Sequence, residues 1–499
     1  MLLWHLSYHL SLFTMNKLLK YSLVFAAMFS LSSCHIYKKY ELPADNNVYV
    51  SDFKKATETV DSTGLDYLRW EQVFTDPTLQ SYIRMALDNN RNLDDARLNV
   101  EIANAQLKGA KLSYFPSVAL NPNGGTASYG GSHMNWSYTL PLAINWEVDV
   151  FAKILNRKRG AQVSKEQMLD YEQAVRSQVI CGVAKTYYAL VLLNQQLDLT
   201  KRTAAIWKDQ VESMKLMKEA ARTNEAAVVQ SEANYYSILA SIPDIEEGIT
   251  TTQNALSLLL GVYPKAWTVS SDLNFELPVS IANGVPVSYL ASRPDVRAAE
   301  RGLAAAYYST NSARAAFYPS LNISSNGGFT NLLGSLITNP GKWFIQLAGS
   351  LSAPLFSRGQ NIATLEAAKA RQKQAMNAFE TSIISASSDV SNALASYKAS
   401  EEKREALVKQ VESLEKSVEY TQELFTLTQQ TTYLEVLTAR SSLLNAQLAS
   451  LSCWHSKVAA LISLYQAVGG GRSLNTLKSL YYAKNQSISL YSSGCSDWR

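Results

Sequence analysis

The chain is poor in cysteine and histidine, and two long reaches of it lack proline. Only four cysteines stand among 499 residues, with no Cys-x-x-Cys pair and no metal-ligand spacing. Beyond residue 34 the histidines are His35, His133 and His455, far apart in sequence. These absences leave no signature for a metal centre or a histidine-based catalytic site, and no cofactor is implied. Neither sign of charge is in excess, with 46 Lys and Arg against 42 Asp and Glu, so nucleic acid is not an expected partner. The Gly469-Gly470-Gly471 run lacks the Lys-Ser/Thr of a phosphate loop and reads as the breaker that ends the last helix. No Pro occurs from Leu142 to Ile242, and the only Gly residues there are Gly160 and Gly182. After Pro354 there is no Pro at all, and Gly359 is the only glycine before Val468. A helix from Lys153 to about Arg222 would run about 100 Å at 1.5 Å per residue, more than a globular core requires.

What is present begins with Trp136 to Phe151, WSYTLPLAINWEVDVF. Its even positions, from Trp136 and Tyr138 through Leu140, Leu142, Ile144 and Trp146 to Val148, are greasy. Ser137, Thr139, Asn145, Glu147 and Asp149 make the other face mostly polar. Side chains alternate across a strand, and about ten residues cross the oily layer of a membrane when tilted, so this reads as a membrane strand. Trp343, Ile345, Leu347 and Leu351 alternate likewise against Gln346, Ser350 and Ser352. A shorter strand precedes each, Leu321, Ile323 and Ser325 alternating in the second case. Polar loops around 121–134 and 326–342 are expected as hairpin tips.

The chain carries an internal repeat. The shift that lays Pro116-Ser117 on Pro319-Ser320 also lays Ala96, Ala103 and Ala110 on Ala299, Ala306 and Ala313, and Gly124-Gly125 on Gly327-Gly328. Alanines every seven residues allow close helix packing along one seam. Helices are expected over 81–114 and 288–318, each ending before its Pro. Turns between a long helix and its return are expected near Thr223–Glu225 and Gln429–Thr432. Leu407, Val411, Leu414, Val418, Thr421 and Phe425 keep a coiled-coil rhythm, as do Leu444, Leu448, Leu451, His455, Val458, Ile462 and Tyr465. His455 is expected as a packed histidine, and Cys181 and Cys453 as small buried residues.

Met15 opens a basic stretch followed by a short apolar core, Tyr21 to Leu31, too short to span a membrane and suited to a signal peptide. Met15 is the expected start. Leu31-Ser32-Ser33-Cys34 resembles a bacterial lipobox, which would make Cys34 the lipidated first residue of the mature protein. Residues 35–80 look irregular, with a helix start at Asp76-Pro77, where Asp caps and Pro takes the first helical position. The expected divisions are 1–33 signal peptide, 34–80 tether, 81–280 and 281–471 two repeats, and 472–499 a tail. Four membrane strands per chain cannot close a barrel, and open edges are not tolerated in lipid. The chain must therefore assemble. Three copies give twelve strands, though arithmetic alone leaves two or four open.

Several segments together resemble the outer-membrane efflux protein family of the TolC type, in its lipoprotein branch. They include Trp70-x3-Phe74-x-Asp76-Pro77-x-Leu79, Trp146 to Phe151, Ile242-Pro-Asp-Ile-Glu246, Asn254 to Gly261, Ser292-Arg-Pro-Asp-Val-Arg-Ala-Ala-Glu300, Ala353-Pro-Leu-Phe356 and Tyr433-Leu-Glu-Val-Leu437. The resemblance implies a mainly α, mixed fold: a homotrimeric α-helical barrel continuous with a 12-stranded transmembrane β-barrel. It implies no enzyme activity. The protein would be a passive exit duct in the outer membrane lipid, working with a periplasmic adaptor and an inner-membrane efflux pump. Many members place two acids a turn apart at the inner mouth. Glu435 matches the first, as the gate and selectivity candidate, and Thr438 replaces the second. The Tyr and Arg of a closing latch would stand near Thr426 and Thr431 and are missing, as is the usual turn Gly near Gln429. Two other classes compete. A structural envelope coiled-coil lipoprotein would have heptads without membrane strands, and a lipid-anchored enzyme would need clustered catalytic residues.

Overall fold

A computed structural model describes residues 37–42, 48–58, 68–127, 135–278, 287–330, 342–428 and 432–472. The signal segment, Cys34, the tips at 128–134 and 331–341, residues 429–431 of the second turn, and everything after Arg472 lie outside the described residues. The chain divides into two units, one of residues 1–44, 99–168 and 298–380, the other of 45–98, 169–297 and 381–499.

The first unit holds the sheet. Strands β1 (Ser117–Leu120), β2 (Asn123–Ala127), β3 (Asn135–Val148), β4 (Ser320–Thr330) and β5 (Lys342–Ser352) are antiparallel, in the order β1-β3-β4-β5, with β2 also on β3. β1 and β2 lie end to end along β3, so the five segments fill four strand positions. The first strand breaks at Asn121-Pro122 because Pro122 and, across the ladder, Pro141 each lack an N–H; Asn121 N still donates to Pro141 O at 3.1 Å. Both expected hairpin tips are shorter than their glycines suggest, since Gly124-Gly125 and Gly327-Gly328 lie inside strands. At Gly328 the reason is close approach: a Cβ there would stand 2.0 Å from Leu140 O.

The second unit holds the main core. Residues 48–80 are not irregular throughout: α1 (Val48–Glu58) and the short α2 (Trp70–Val73) form there. α3 (Pro77–Asn89) starts as expected, with Asp76 Oδ1 accepting from Thr78 N at 2.7 Å. The single helix expected over 81–114 is broken. α3 stops at Asn89, and α4 (Arg91–Leu112) begins after Asn90, whose side chain accepts from Leu93 N at 3.2 Å and donates to Leu259 O at 2.8 Å. Asn90 thus caps the new helix while tying it to Leu259, far along the chain, two roles that helical periodicity does not reveal. Trp70, Phe74, Leu79 and Ile83 pack with Ile180, Tyr187, Leu190, Leu256, Ile462 and Tyr465 in this core.

α5 (Lys153–Glu219) is unbroken over 67 residues and α6 (Glu225–Leu259) over 35. α6 starts on Asn224, whose side chain accepts from Ala227 N, and passes through Pro243 without ending. α7 is Pro294–Ala315, preceded by a 3-10 turn, Val287–Ser292, so the helix expected from residue 288 begins properly only at Pro294. α8 (Gln360–Glu423) closes with a π turn, Leu424–Thr428, and α9 is Tyr433–Ala467. The heptad positions from Leu407 to Phe425 are all buried or half-buried, as are Ser417 and Gln422 beside them. α8 and α9 run antiparallel through Arg440 to Gln422 (3.1 Å), Lys457 to Glu401 (2.6 Å) and Cys453 Sγ to Ser400 O (3.3 Å). Gly469 and Gly470 end α9 as expected: Gly470 N donates to Tyr465 O and Gly469 N to Gln466 O, the paired bonds of a left-handed helix stop, with Gly469 at φ +84°. Arg472, the first residue of the expected tail, is buried and donates to Ser292 O at 2.5 Å.

Candidate functional site

Two places carry functional geometry, one in each unit. The first is the face of the sheet. Register puts Leu140, Leu142, Ile144, Trp146 and Val148 of β3 opposite Phe329, Gly327, Ser325, Ile323 and Leu321 of β4, and these opposite Trp343, Ile345, Leu347, Gly349 and Leu351 of β5. Val118 and Leu120 of β1 extend the same face. The other face carries Thr139, Asn145, Glu147, Asn322, Ser324, Asn326, Gln346 and Ser350, with Phe344 as its large apolar exception. Trp343, Ile345, Leu347 and Leu351 are 70–74 % exposed, so no part of the described residues covers the β5 stretch of this band. Among the described residues no helix is long and apolar enough to cross a membrane. An apolar band on one sheet face, with hydroxyl and amide groups behind it, matches a strand wall between lipid and water.

The joint between sheet and helix is built by Trp146 to Phe151. Trp146 Nε1 donates to Tyr114 O at 2.9 Å. Glu147 pairs with Lys153 at 2.9 Å, and both Asp149 oxygens accept from α5, from Ile154 N (2.9 Å) and Leu155 N (2.7 Å). Phe151 stacks on Tyr318 at 4.9 Å. The recurring residues of this segment therefore cap and seat a helix, as an acid near a helix N-terminus should. Ser292 to Glu300 is likewise architectural. Arg293 is held by Asp295 (3.0 and 2.7 Å), Asp389 (2.9 Å) and Ala467 O (3.1 Å), while Arg297 meets Asp170 at 2.7 Å. Asp149 and Arg293 were legible as motif members, but their partners lie too far along the chain for sequence to supply.

The second place is the start of α9. Tyr433 is buried with Trp207, Met214, Val228 and Leu437, and its hydroxyl lies 2.7 Å from Ser231 Oγ. Burial raises the Tyr433 pKa above its ordinary value. Phe425 tilts against it at 5.6 Å. With Tyr433 pointing into this cluster, Glu435 lies in the first turn of α9 on its exposed side, its N–H bonded to Thr432 O at 3.0 Å. Thr438 is exposed on the same side and donates to Leu434 O at 2.8 Å. The expected histidine and cysteines are packed residues. Desolvation lowers the His455 pKa. Cys181 is fully buried, its thiol pushed up to about 12, and Cys453 is buried on Ser400 O. No group of three or more acids, His or Cys could hold a metal ion among the described residues.

Comparison with known proteins gives the same picture. The probable outer membrane lipoprotein SilC of Salmonella typhimurium is 28% identical over 464 residues, covering 91% of this chain and 98% of SilC. The cation efflux system protein CusC of Escherichia coli K12 is 26% identical over 463 residues, 90% and 99% of the two chains. Among solved structures, CusC superposes with a TM-score of 0.78 at 25% identity, over 87% of this chain and 99% of that one. The open state of the Neisseria gonorrhoeae MtrE outer membrane channel gives 0.74 at 27%, over 87% and 97%. The family profile described as "Outer membrane efflux protein" matches residues 82–262 and 285–470, well over half the chain. This chain belongs to the outer membrane efflux protein family, and its place is the outer membrane.

Proposed function

We propose that three copies of the chain join their sheets into one twelve-stranded barrel, with the long helices continuing it as a hollow duct on the periplasmic side. The observation that carries this reading is the sheet. Its apolar face is uncovered, and its outer edges, on β1–β2 and on β5, have no strand beside them among the described residues. Four strand positions cannot close, and unpaired edges are costly in hydrocarbon; three copies satisfy both demands with an even strand number. The same succession of helix, hairpin, long helix and return helix occurs twice, and the family profile matches each separately, which supports an internal repeat. The duct conducts passively, and an inner-membrane pump supplies the energy through a periplasmic adaptor.

Cys34 carries the lipid anchor in this reading. The strap just after it supports that assignment: Arg159 donates to Tyr37 O at 3.4 Å, and Tyr40 N donates to the Tyr308 hydroxyl at 3.1 Å. Cys34→Ser should leave an unprocessed precursor without acyl chains, read by mass spectrometry of the N-terminal peptide; the same unmodified mature terminus in both proteins would contradict it. Glu435 stands three times around the axis at the inner mouth, where gathered carboxylates draw cations and repel anions. Its effect is modest, because Thr438 supplies no second ring and salt screens over about 8 Å. In planar bilayers the purified protein should conduct without an energy source. Glu435→Gln should lower its cation preference and weaken block by multivalent cations from the periplasmic side, with assembly unchanged. Unchanged reversal potential and unchanged block would remove Glu435 from the selectivity site.

A further inference from the structure

Negative charge is missing from one region of this chain. No Asp or Glu occurs between Glu101 and Glu147, or between Glu300 and Glu366. Those stretches hold the ends of α4 and α7 and the whole sheet except for Glu147 and Val148. Asp149 is used as the cap of α5 and Glu147 is paired with Lys153. Basic residues remain beside the sheet. On the last turns of α4, Lys108 and Lys111 are exposed three residues apart, followed by exposed Leu112 and Phe115 and then by Val118 and Leu120 on the apolar face of β1. Lys158 Nζ stands 5.5 Å from the centre of the Tyr114 ring, and the carbonyl of Tyr114 is held by Trp146 of the apolar face. Lysines come first, and exposed apolar side chains follow them toward the band.

We infer that Lys108, Lys111 and Lys158 form a collar that binds anionic phospholipid headgroups at the inner edge of the membrane in which the sheet sits. The inference rests on the proposed membrane barrel and goes beyond it by assigning the lipid class. Charge complementarity and continuity with the apolar face select the occupant. A phosphodiester with a net negative charge fits Lys108 and Lys111, in a stretch without acids, and Lys158 on the Tyr114 ring, and its acyl chains fit the exposed face next to them. Lysines near an anionic surface gain about 1 kcal/mol each, roughly fivefold in local lipid concentration. Lys153 lies on the other side of α5, with Glu147 of the polar face, and takes no part.

The test uses full-length protein purified from mixed micelles of phosphatidylethanolamine and phosphatidylglycerol, with retained lipid measured by native mass spectrometry. Wild type should hold phosphatidylglycerol at least roughly fivefold over its share of the mixture. The triple variant Lys108→Gln, Lys111→Gln, Lys158→Gln should retain both lipids in proportion to supply. The triple Lys→Arg variant should keep the preference, and so should Lys153→Gln. Equal headgroup preference in wild type and the triple Gln variant overturns the proposal, as does retention of water-soluble glycerophosphate as strong as that of the intact lipid. If the triple Gln variant loses efflux in cells while keeping its lipid preference, the lysines serve a protein partner and the proposal also falls. A protein that retains no lipid of either kind would instead overturn the membrane barrel itself.

Discussion

At the scale of residues, most of the shared motif positions are fasteners. Asp76 caps α3 with one oxygen and accepts the Tyr187 hydroxyl at 2.6 Å with the other, and Tyr187 in turn accepts from Ser270 N at 2.9 Å. A bond between groups this far apart in sequence matters because a buried polar atom left unpaired costs about 1–3 kcal/mol. His455 is the titratable member of the α9 stripe. Burial holds its pKa below the ordinary 6.5, so near that pH the unfolded chain binds a proton that the folded one does not. Its contribution to stability is complete above pH 6.5 and is lost as pH falls from there through the folded-state value. His455→Gln should therefore remove part of the acid sensitivity. The difference in thermal midpoint between wild type and variant should stay flat above pH 6.5 and move against wild type below it. A difference constant down to pH 5 would show that this imidazole does not titrate differently on folding. The effect is small, because the ring is only partly withdrawn from water.

At the scale of elements, the strands were the most legible part. Alternation in Trp136 to Val148 and in Trp343 to Leu351 assigned every side chain a face, and the observed register brings those faces together across β3, β4 and β5. A one-residue slip would have mixed them. A charge test follows from that parity. Leu347→Arg should cost roughly 2–4 kcal/mol and deplete the assembled form on semi-native gels, whereas Gln346→Arg, one residue away, should assemble nearly as wild type. The reverse order would mean the sheet faces are assigned backwards, and equal damage at both positions would mean that parity does not separate lipid from lumen. The long helices α5 and α8 were legible from missing Pro and Gly, and α6 starts at Asn224, inside the expected turn. Other features were hidden for physical reasons. Asn90 breaks α3 from α4 through a bond to Leu259 O, which no local pattern encodes. Ala221 ends α5 in the left-handed region at φ 57°, a place where glycine is expected. Glycine pairs signal turns, yet Gly327-Gly328 lie inside β4, where Gly328 serves the close approach to β3. In the candidate site, Glu435 was legible by motif, while the burial of Tyr433 against Ser231 and Trp207 required the fold.

At the scale of the whole molecule, the proposed barrel gives the uncovered strand edges and apolar face of one chain to other copies and a bilayer. The central claim is that β5 of one copy pairs with β1–β2 of the next until three copies close a ring. The proposed internal repeat gives a register for that seam. Asn326 lies opposite Ala143 between the halves, and the same relation carried around the ring sets Asn123 of one subunit opposite Ser350 of its neighbour. Both belong to the polar face, Asn123 through its pairing with Thr139 and Ser350 through Asn322. Antiparallel partners bring Cα atoms to about 4.5–5.5 Å, within disulfide reach. The direct measurement is to oxidise the Asn123→Cys/Ser350→Cys variant in membranes and run it on a denaturing, non-reducing gel. The account predicts covalent dimers and trimers, nothing larger, and monomer alone from either single variant. Monomer alone from the double variant, or a ladder continuing past three, would contradict the closed three-copy barrel.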